Sequence, residues 1–285
     1  MRLTASLVVH DWHWPELESC LASLSLAMVK ALPDASAEHG HLTILYNGQQ
    51  PLPDAAGDKV AAQFGFPFTL VSDAPNLGYG GTNNLAIRPL QEQASPGDYH
   101  LVINPDTTLA ANTLQILLKQ ATMVADCGLL SPKLLDENNT PQWGNKRYPS
   151  AMVLLARLLP ALLRWPPLAQ LNKHYQYQDL ANTTQATEVE LCSGCFLLAS
   201  VECWLKLQGF DDQYFMYFED FDLSLRALDA GFRNVYLPSA VVYHQGGYTG
   251  RKNWLHKKWF IASAWQFFSR HGFRVWQVGV KNKST

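Results

Sequence analysis

Apolar runs of strand length alternate with segments of helical period through the first hundred residues, and no other property of the chain restricts its fold so tightly. Leu3 to Val9 reads as a buried strand. Pro15 to Leu32 then carries Leu17, Cys20, Leu21, Leu24 and Met28 at the spacing of one helix face. Leu42 to Tyr46 reads as a second strand, Asp58 to Phe64 as a helix and Phe66 to Val71 as a third strand. The Gly-rich loop Asn76 to Asn84 follows, overlapping a helix expected over about Thr82 to Gln93, and Tyr99 to Ile103 reads as a fourth strand. Such alternation predicts an α/β, Rossmann-like fold, with a mostly parallel central sheet flanked by helices. Ligands of such sheets gather at the carboxyl ends of the strands, where the Gly-rich loop and Asp106 fall.

Composition narrows the function. At 285 residues, 47% hydrophobic and 16% charged, the chain can bury a large core. A formal charge of -2 provides no global basic field, so nucleic acid is not an expected partner. Cys192 and Cys195 form a C-x-x-C without a second cysteine or histidine pair at zinc-finger spacing. The five cysteines therefore read as small buried hydrophobes in a reducing compartment. The apolar run Ala5 to Val9 is too short for a signal peptide, and Ala151 to Leu171 is broken by Arg157, Pro160, Arg164, Pro166 and Pro167. A cytoplasmic location is expected. The first strand leads into His10-Asp11-Trp12-His13-Trp14 rather than G-x-G-x-x-G, which disfavours a nicotinamide dehydrogenase. Neither a phosphate-loop signature nor a G-x-S-x-G elbow is present, which removes the nucleoside triphosphatase and serine hydrolase classes.

Three clusters carry chemistry. Asp211, Asp212, Glu219, Asp220 and Asp222 are interleaved with aromatics ahead of the helical stripe Phe221, Leu225 and Leu228. Burying carboxylates among rings is costly unless a charge or a reaction uses them, although acids at a helix start also cap it. Asp106 ends an apolar run, where an oxygen ligand for a cation and the cap of a helix over Leu109 to Met123 are both open readings. His244 ends the apolar run Val235 to Tyr243 and reads as a displayed strand-end imidazole. The Gly-rich loop can bring backbone N–H groups to a phosphate, or can simply make a turn.

Taken in order, Leu7-Val8-Val9-His10, Asn76 to Asn84, Ile103-Asn104-Pro105-Asp106, Ser193-Gly194-Cys195-Phe196, Gly209-Phe210-Asp211-Asp212, Tyr217 to Leu223 and Val242-Tyr243-His244 resemble family 2 glycosyltransferases of the GT-A fold. The likeness runs from Leu3 to Gly247 and is strongest to the rhamnosyltransferase and galactofuranosyltransferase branch of bacterial surface polysaccharide synthesis. It implies a catalytic domain over 1–247, with a nucleotide-binding half 1–106 and an acceptor half 107–247 carrying an insert at 145–185. A basic aromatic segment, 248–285, would form an acceptor-side helix.

The implied reaction is inverting transfer of a sugar, best matched by rhamnose from dTDP-L-rhamnose, to a saccharide of lipopolysaccharide, O-antigen or capsule. A UDP-hexose or UDP-galactofuranose donor on the same scaffold is one alternative. A noncatalytic nucleotide- or glycan-binding GT-A domain is another. By resemblance, Asp220 is the general base and Glu219 contacts the acceptor with Gly194 and Cys195. Donor binding falls to His10, Asn47, Asn76, Gly78, Gly80, Gly81, Asn83, Asn84, Asn104, Asp106 and Arg251, and Asp106 and His244 would hold Mn2+ or Mg2+. Two positions depart from the family pattern. Leu45-Tyr46-Asn47-Gly48 lacks the usual Asp-Asn, and Asn104 replaces the first acid of the Asp-x-Asp metal motif.

Cations alternate with aromatics from Tyr248 to His271, the pattern of a helix on an anionic membrane surface or of one packed on the catalytic domain. Ala151 to Leu171 is a second expected membrane or acceptor contact. The implied partners are thus a nucleoside-diphosphate sugar, a saccharide or lipid-linked saccharide acceptor, and the inner face of the cytoplasmic membrane.

Overall fold

The computed structural model describes residues 1–32, 39–93, 95–246 and 254–280. Its first half is β1 (Leu3–Val9), α1 (Trp14–Ala31), β2 (Gly40–Tyr46), α2 (Ala56–Gln63), β3 (Phe68–Val71), α3 (Gly78–Ile87), α4 (Leu90–Gln93) and β4 (Tyr99–Ile103). The second half is β5 (Thr107–Leu109), α5 (Thr113–Met123), β6 (Cys127–Leu135), α6 (Ala151–Leu158), α7 (Pro166–Tyr175), β7 (Thr187–Glu188), β8 (Phe196–Ser200), α8 (Val201–Leu207), α9 (Glu219–Asp229), β9 (Arg233–His244) and α10 (Trp254–His271). A short 3-10 turn, Pro160–Arg164, joins α6 to α7.

One sheet runs β3-β2-β1-β4-β8-β6-β9-β5, with β7 paired to β9. The pairs β3-β2, β2-β1 and β1-β4 are parallel, as the alternation requires. Beyond β4 the sheet mixes directions, because β8 runs antiparallel to β4 and β5 antiparallel to β9. Both faces are covered. Leu101 and Ile103 of β4 join a core with Leu17, Leu21, Leu24 and Met28 of α1, whereas Val102 points to the opposite core with Leu197, Trp204 and Leu223. This two-residue period, apolar on both sides, is why the strand reads as a continuous apolar run.

Two expected elements differ. α3 begins at Gly78 rather than near Thr82, because Tyr79 N–H donates to the Phe215 carbonyl (3.0 Å) and anchors the first turn on a distant segment. The helix expected from Leu109 begins at Thr113, and Thr107–Leu109 is instead drawn into the sheet by β9. Asp106 is therefore not a helix cap.

Candidate active site

The carboxyl ends of β1, β2 and β4 lie level in the sheet, with Val9 paired to Tyr46 and Leu7 to Ile103. That register delivers His10, Asn47 and Asn104 to one edge. His10 Nδ1 lies 3.2 Å from Asn47 Oδ1, and Asn47 Nδ2 donates to Thr82 Oγ1 (3.3 Å). These ends open into a cleft of about 400 Å³ walled by His10, Asn47, Asn76, Gly78, Tyr79, Asn104, Asp106 and Phe215, with His256 and Trp259 contributed by α10.

Strand pairing brings Asp106 and His244 together across a gap of more than a hundred residues in sequence. Thr107 pairs with His244, and Gln245 N–H donates to the Asp106 carbonyl (3.1 Å). The His244 Nε2 atom consequently stands 3.3 Å from Asp106 Oδ2. Its other ring nitrogen, Nδ1, donates to Gln142 Oε1 (2.8 Å), while Gln142 Nε2 donates to the His244 carbonyl (2.7 Å). Both halves of the Gln142 amide are thus used, which fixes its orientation and leaves Nε2 aimed at Asp106. In the same wall, Asn104 Oδ1 is buried without a hydrogen-bond partner among the described residues. Among the described residues, no three His, Cys, Asp or Glu side chains converge as a metal cage. An acid, an imidazole and a buried amide oxygen are the donors this edge presents.

The other end is built by β8. Asn104 N–H donates to the Cys195 carbonyl (3.0 Å), so the turn before β8 sits against the end of β4. Gly194 N–H then donates to Asp220 Oδ2 (2.8 Å), and Phe221 N–H donates to Asp220 Oδ1 (2.9 Å). Tyr79 Oη donates to the Gly194 carbonyl (2.5 Å) and connects this turn to the cleft wall. Tyr217 and Phe218, immediately before α9, have φ of +70° and +67°. Two consecutive non-glycine residues in the left-handed region store strain, typically about 1–3 kcal/mol each, at the segment that aims the carboxylates.

Glu219 is 7% exposed, and its Oε2 has no hydrogen-bond partner among the described residues. Burial, reinforced by the neighbouring Asp220 charge, pushes its carboxyl up to about 8. Burial also raises Asp220, but the N–H groups of Gly194 and Phe221 and the charge of Lys146 oppose it. Both carboxyls are thus raised by burial, and the difference between them is in their donors: each Asp220 oxygen accepts a backbone N–H, while Glu219 Oε2 has no partner among the described residues.

Not every residue expected to contact the donor lines the cleft. Asn83 and Asn84 are fully buried. Ser6 Oγ donates to Asn83 Oδ1 (2.7 Å), and Asn84 holds both the N–H and the carbonyl of Phe210 (each 2.9 Å). A Cβ on Gly80 would lie 2.7 Å from the Phe210 side chain, and one on Gly81 would lie 2.9 Å from Leu77. Gly80 and Asn84 thus seat α3 against Phe210, Asn83 ties it to β1 and Gly81 packs on Leu77, and none of the four lines the cleft. Arg251 lies outside the described residues.

Four residues with a clear position were not singled out from the sequence. Tyr79 sits within the Gly-rich loop, and His256 and Trp259 reach the cleft from α10. Lys146 is 9% exposed, and its Nζ donates to the Gly144 and Asn145 carbonyls (3.1 and 3.4 Å). Burial, and then Arg157, pulls its ammonium down to about 7, and it senses the Asp220 charge. A lysine between Asn145 and Arg147 in the sequence carries no signal of burial.

Residues 69–260 match the model of the glycosyltransferase-like family 2. The N-acetylglucosaminyl-diphospho-decaprenol L-rhamnosyltransferase of Mycobacterium tuberculosis is 31% identical over 252 residues, covering 83% of this chain and 74% of its own. The rhamnosyltransferase WbbL of Escherichia coli is 26% identical over 197 residues, 68% of this chain and 70% of its own. Among solved structures, GalNAc-T7 with UDP, GalNAc and Mn2+ superposes with a TM-score of 0.63 at 12% identity over 94% of this chain. S. aureus TarS 1–349 gives 0.50 at 12% identity over 86%. The chain spans 48% of the first structure and 60% of the second, and at these identities they show the fold alone, which is the expected GT-A architecture.

Proposed function

The chain belongs to the glycosyltransferase-like family 2, and on that premise we propose that it transfers a rhamnosyl group, with inversion, from dTDP-L-rhamnose to a saccharide carried on a lipid diphosphate. One observation carries this reading. The hydrogen bonds from Asn104 through Cys195 and Gly194 to Asp220 tie the Asp106–His244 edge to the Asp220 carboxyl at the far side of the same strand ends.

Departure of the nucleotide leaves negative charge on its diphosphate while the sugar carbon becomes electron-poor. The residues at the Asp106 edge fit a divalent cation: the His244 ring, oriented by Gln142, sets its Nε2 3.3 Å from Asp106 Oδ2, with the Asn104 oxygen in the same wall. Asp106 and His244 would hold Mn2+ or Mg2+, which would supply Lewis-acid neutralisation of the leaving diphosphate. His10 and Asn47, at the ends of β1 and β2, bind the nucleoside side of the donor.

Attack by the acceptor hydroxyl requires removal of its proton, and Asp220 accepts it. Each Asp220 oxygen already receives one backbone N–H, which holds the carboxylate in place and leaves lone pairs for the incoming proton. Protonated Glu219, beside it, donates a hydrogen bond to the acceptor. A base acting on the acceptor without a protein nucleophile displaces the nucleotide in one step and inverts the anomeric centre. Because the donor is a nucleotide and the acceptor a lipid conjugate, the reaction is placed at the inner face of the cytoplasmic membrane.

A donor panel of dTDP-L-rhamnose, UDP-galactofuranose and UDP-hexoses, read by nucleotide release with Mn2+ present, tests the assignment. Release with dTDP-L-rhamnose that falls by about 10²–10⁴ in Asp220→Asn, with nucleotide binding retained, is the expected result. Nucleotide binding without turnover for every donor would return the noncatalytic reading.

A further inference from the structure

Two stretches remote in sequence, 151–176 and 254–280, contain no aspartate or glutamate, although the chain as a whole carries 24 acids against 22 lysines and arginines. The fold packs the two stretches together. Ala151 N–H donates to the Arg274 carbonyl (2.8 Å), Met152 N–H to that of Val275 (3.1 Å), and the Trp165 and Trp276 rings meet edge-on at 6.0 Å. Between α6 and α10 they leave an apolar groove of about 520 Å³ lined in part by Leu155, Leu158, Ile261 and Trp265.

Most of the large apolar side chains that the described residues leave in solvent belong to these two stretches. Trp265 is 77% exposed, Phe273 66%, Ile261 58%, Leu159 54% and Trp165 52%. Their spacing is ordered. Trp254, Ile261 and Trp265 fall seven and four residues apart, on one stripe of α10, while Leu155 and Leu158 of α6, with Leu159 at its C-terminal cap, are exposed beside them. The opposite side of α10 is committed elsewhere, with Phe267 and Ser263 buried and Trp259 in the cleft. Exposed cations, Arg157, Arg164, Lys173, Lys257 and Lys258, are distributed over the same two stretches.

A solvent-facing helix has no use for stripes of tryptophan and leucine. Tryptophan among cations is the composition of a surface that sits at the headgroup level of a bilayer carrying negative charge. We propose that the outer faces of α6, the Pro160–Arg164 turn and α10 together form a docking surface for an anionic lipid bilayer, with the apolar stripes entering the interface and the flanking cations meeting lipid phosphates. No described helix is long and apolar enough to cross a membrane, so this contact lies in the plane of the interface. The choice of a bilayer as occupant rests on the lipid-linked acceptor of the proposed function. The two α10 sides then set the geometry, since the helix that meets lipid on one side walls the cleft on the other.

Vesicle co-sedimentation tests the surface, with the full chain, vesicles of phosphatidylcholine and phosphatidylglycerol, and vesicles of phosphatidylcholine alone. Binding to the anionic vesicles that weakens with salt, and that falls by about tenfold or more in Trp165→Ser/Trp265→Ser and in Lys257→Glu/Lys258→Glu, is the expected result. These residues lie outside the cleft, so turnover of a water-soluble saccharide acceptor should persist in all variants. Wild-type protein that stays unbound, or variants that bind as well as wild type, would overturn the docking surface while leaving the transferase intact. Vesicle binding without turnover of any donor would instead overturn the transferase reading. Wild type that dimerises through this face, with the variants monomeric and no lipid bound, would assign the surface to a second copy.

Discussion

Asp222 offers the sharpest test of how the acidic aromatic stretch is built. It is fully buried at the first turn of α9, two residues past the proposed base, and accepts from Arg226 Nε (2.6 Å) and His271 Nε2 (2.9 Å), with Arg270 Nη1 at 3.3 Å. Two of these partners belong to α10, so this one carboxylate joins α9 to the helix whose His256 and Trp259 line the cleft. Asp222→Asn keeps the shape but removes the charge. It leaves the Arg226 guanidinium, itself little exposed, without its counterion and turns amide hydrogens toward cationic donors. Breaking a buried pair from one side costs about 3–5 kcal/mol. At about 2.1 cal/mol/K of unfolding entropy per residue, the 285-residue chain carries about 0.6 kcal/mol/K, so Tm should fall by about 5–8 °C. Asp212→Asn is the control, because its ion pair with Arg88 is about half exposed on both sides and is worth at most about 1 kcal/mol, or under about 2 °C. pH separates them further. The partners hold Asp222 below the usual carboxylate range despite burial, so its stabilisation is present above the unfolded pKa of about 3.9 and is lost as pH falls through the folded value. Scanning calorimetry should therefore show the gap between wild type and Asp222→Asn closing in acid. Equal losses in the two variants, or a fall below 2 °C for Asp222→Asn, would refute the account of Asp222 as a buried ionic hub.

Other substitutions follow from the same geometry. The folded pKa of Glu219 is raised to about 8, so its burial favours folding only while it is protonated and costs stability as pH rises from its unfolded value through 8. Glu219→Gln should therefore gain Tm over wild type at pH 8 and not at pH 5. Lys146→Met removes a positive charge felt by Asp220 and should move the acid limb of the kcat/KM profile to higher pH, with Lys146→Arg restoring it. Gln142→Leu frees the His244 ring and should weaken Mn2+ affinity about 10–100-fold by titration calorimetry, with nucleotide alone binding as before. A Cβ at Gly78, which has φ of +78°, would stand 1.9 Å from the Phe215 carbonyl oxygen. Gly78→Ala should accordingly give markedly less folded protein by circular dichroism and lose the nucleotide-induced thermal shift.

What was legible in the sequence was whatever obeys a local period. β1 was read to the residue, and α1, β2, α2 and β4 to within a few residues, because each buries a face whose spacing is written in consecutive side chains. What was not legible depends on partners far along the chain. Nothing near Asp106 announces β5, since three residues become a strand only because the end of β9 pairs with them. Asn83 and Asn84 read as loop amides open to a ligand, and their true partners, Ser6 and Phe210, lie 77 and 126 residues away. Lys146 carries no local signal of its burial, which leaves it 9% exposed. The acids of the 211–222 stretch were recognisable as a group, but only contacts separate Asp220 on the N–H of Gly194 from Asp222 on arginine and histidine.

The sheet order separates the two halves of the proposed site. β4 is the seam, with parallel β1 on one side and antiparallel β8 on the other. The residues proposed to meet the donor, His10 and Asn47, follow the ends of β1 and β2, where Asn47 donates to the buried Thr82. Asp220, by contrast, is set by two backbone N–H groups, a strained turn at Tyr217 and Phe218, and an α9 fastened to α10 through Asp222. On the proposed roles, a change of nucleotide or sugar preference would fall at exposed or half-buried positions such as His10 and Asn47. A change in the position of the base would have to disturb packed backbone. Swapping His10 and Asn47 should thus shift donor KM while leaving the pH dependence governed by Asp220 in place, and movement of that dependence with donor-side substitutions would show that the two halves are coupled through the Asn104–Cys195 seam.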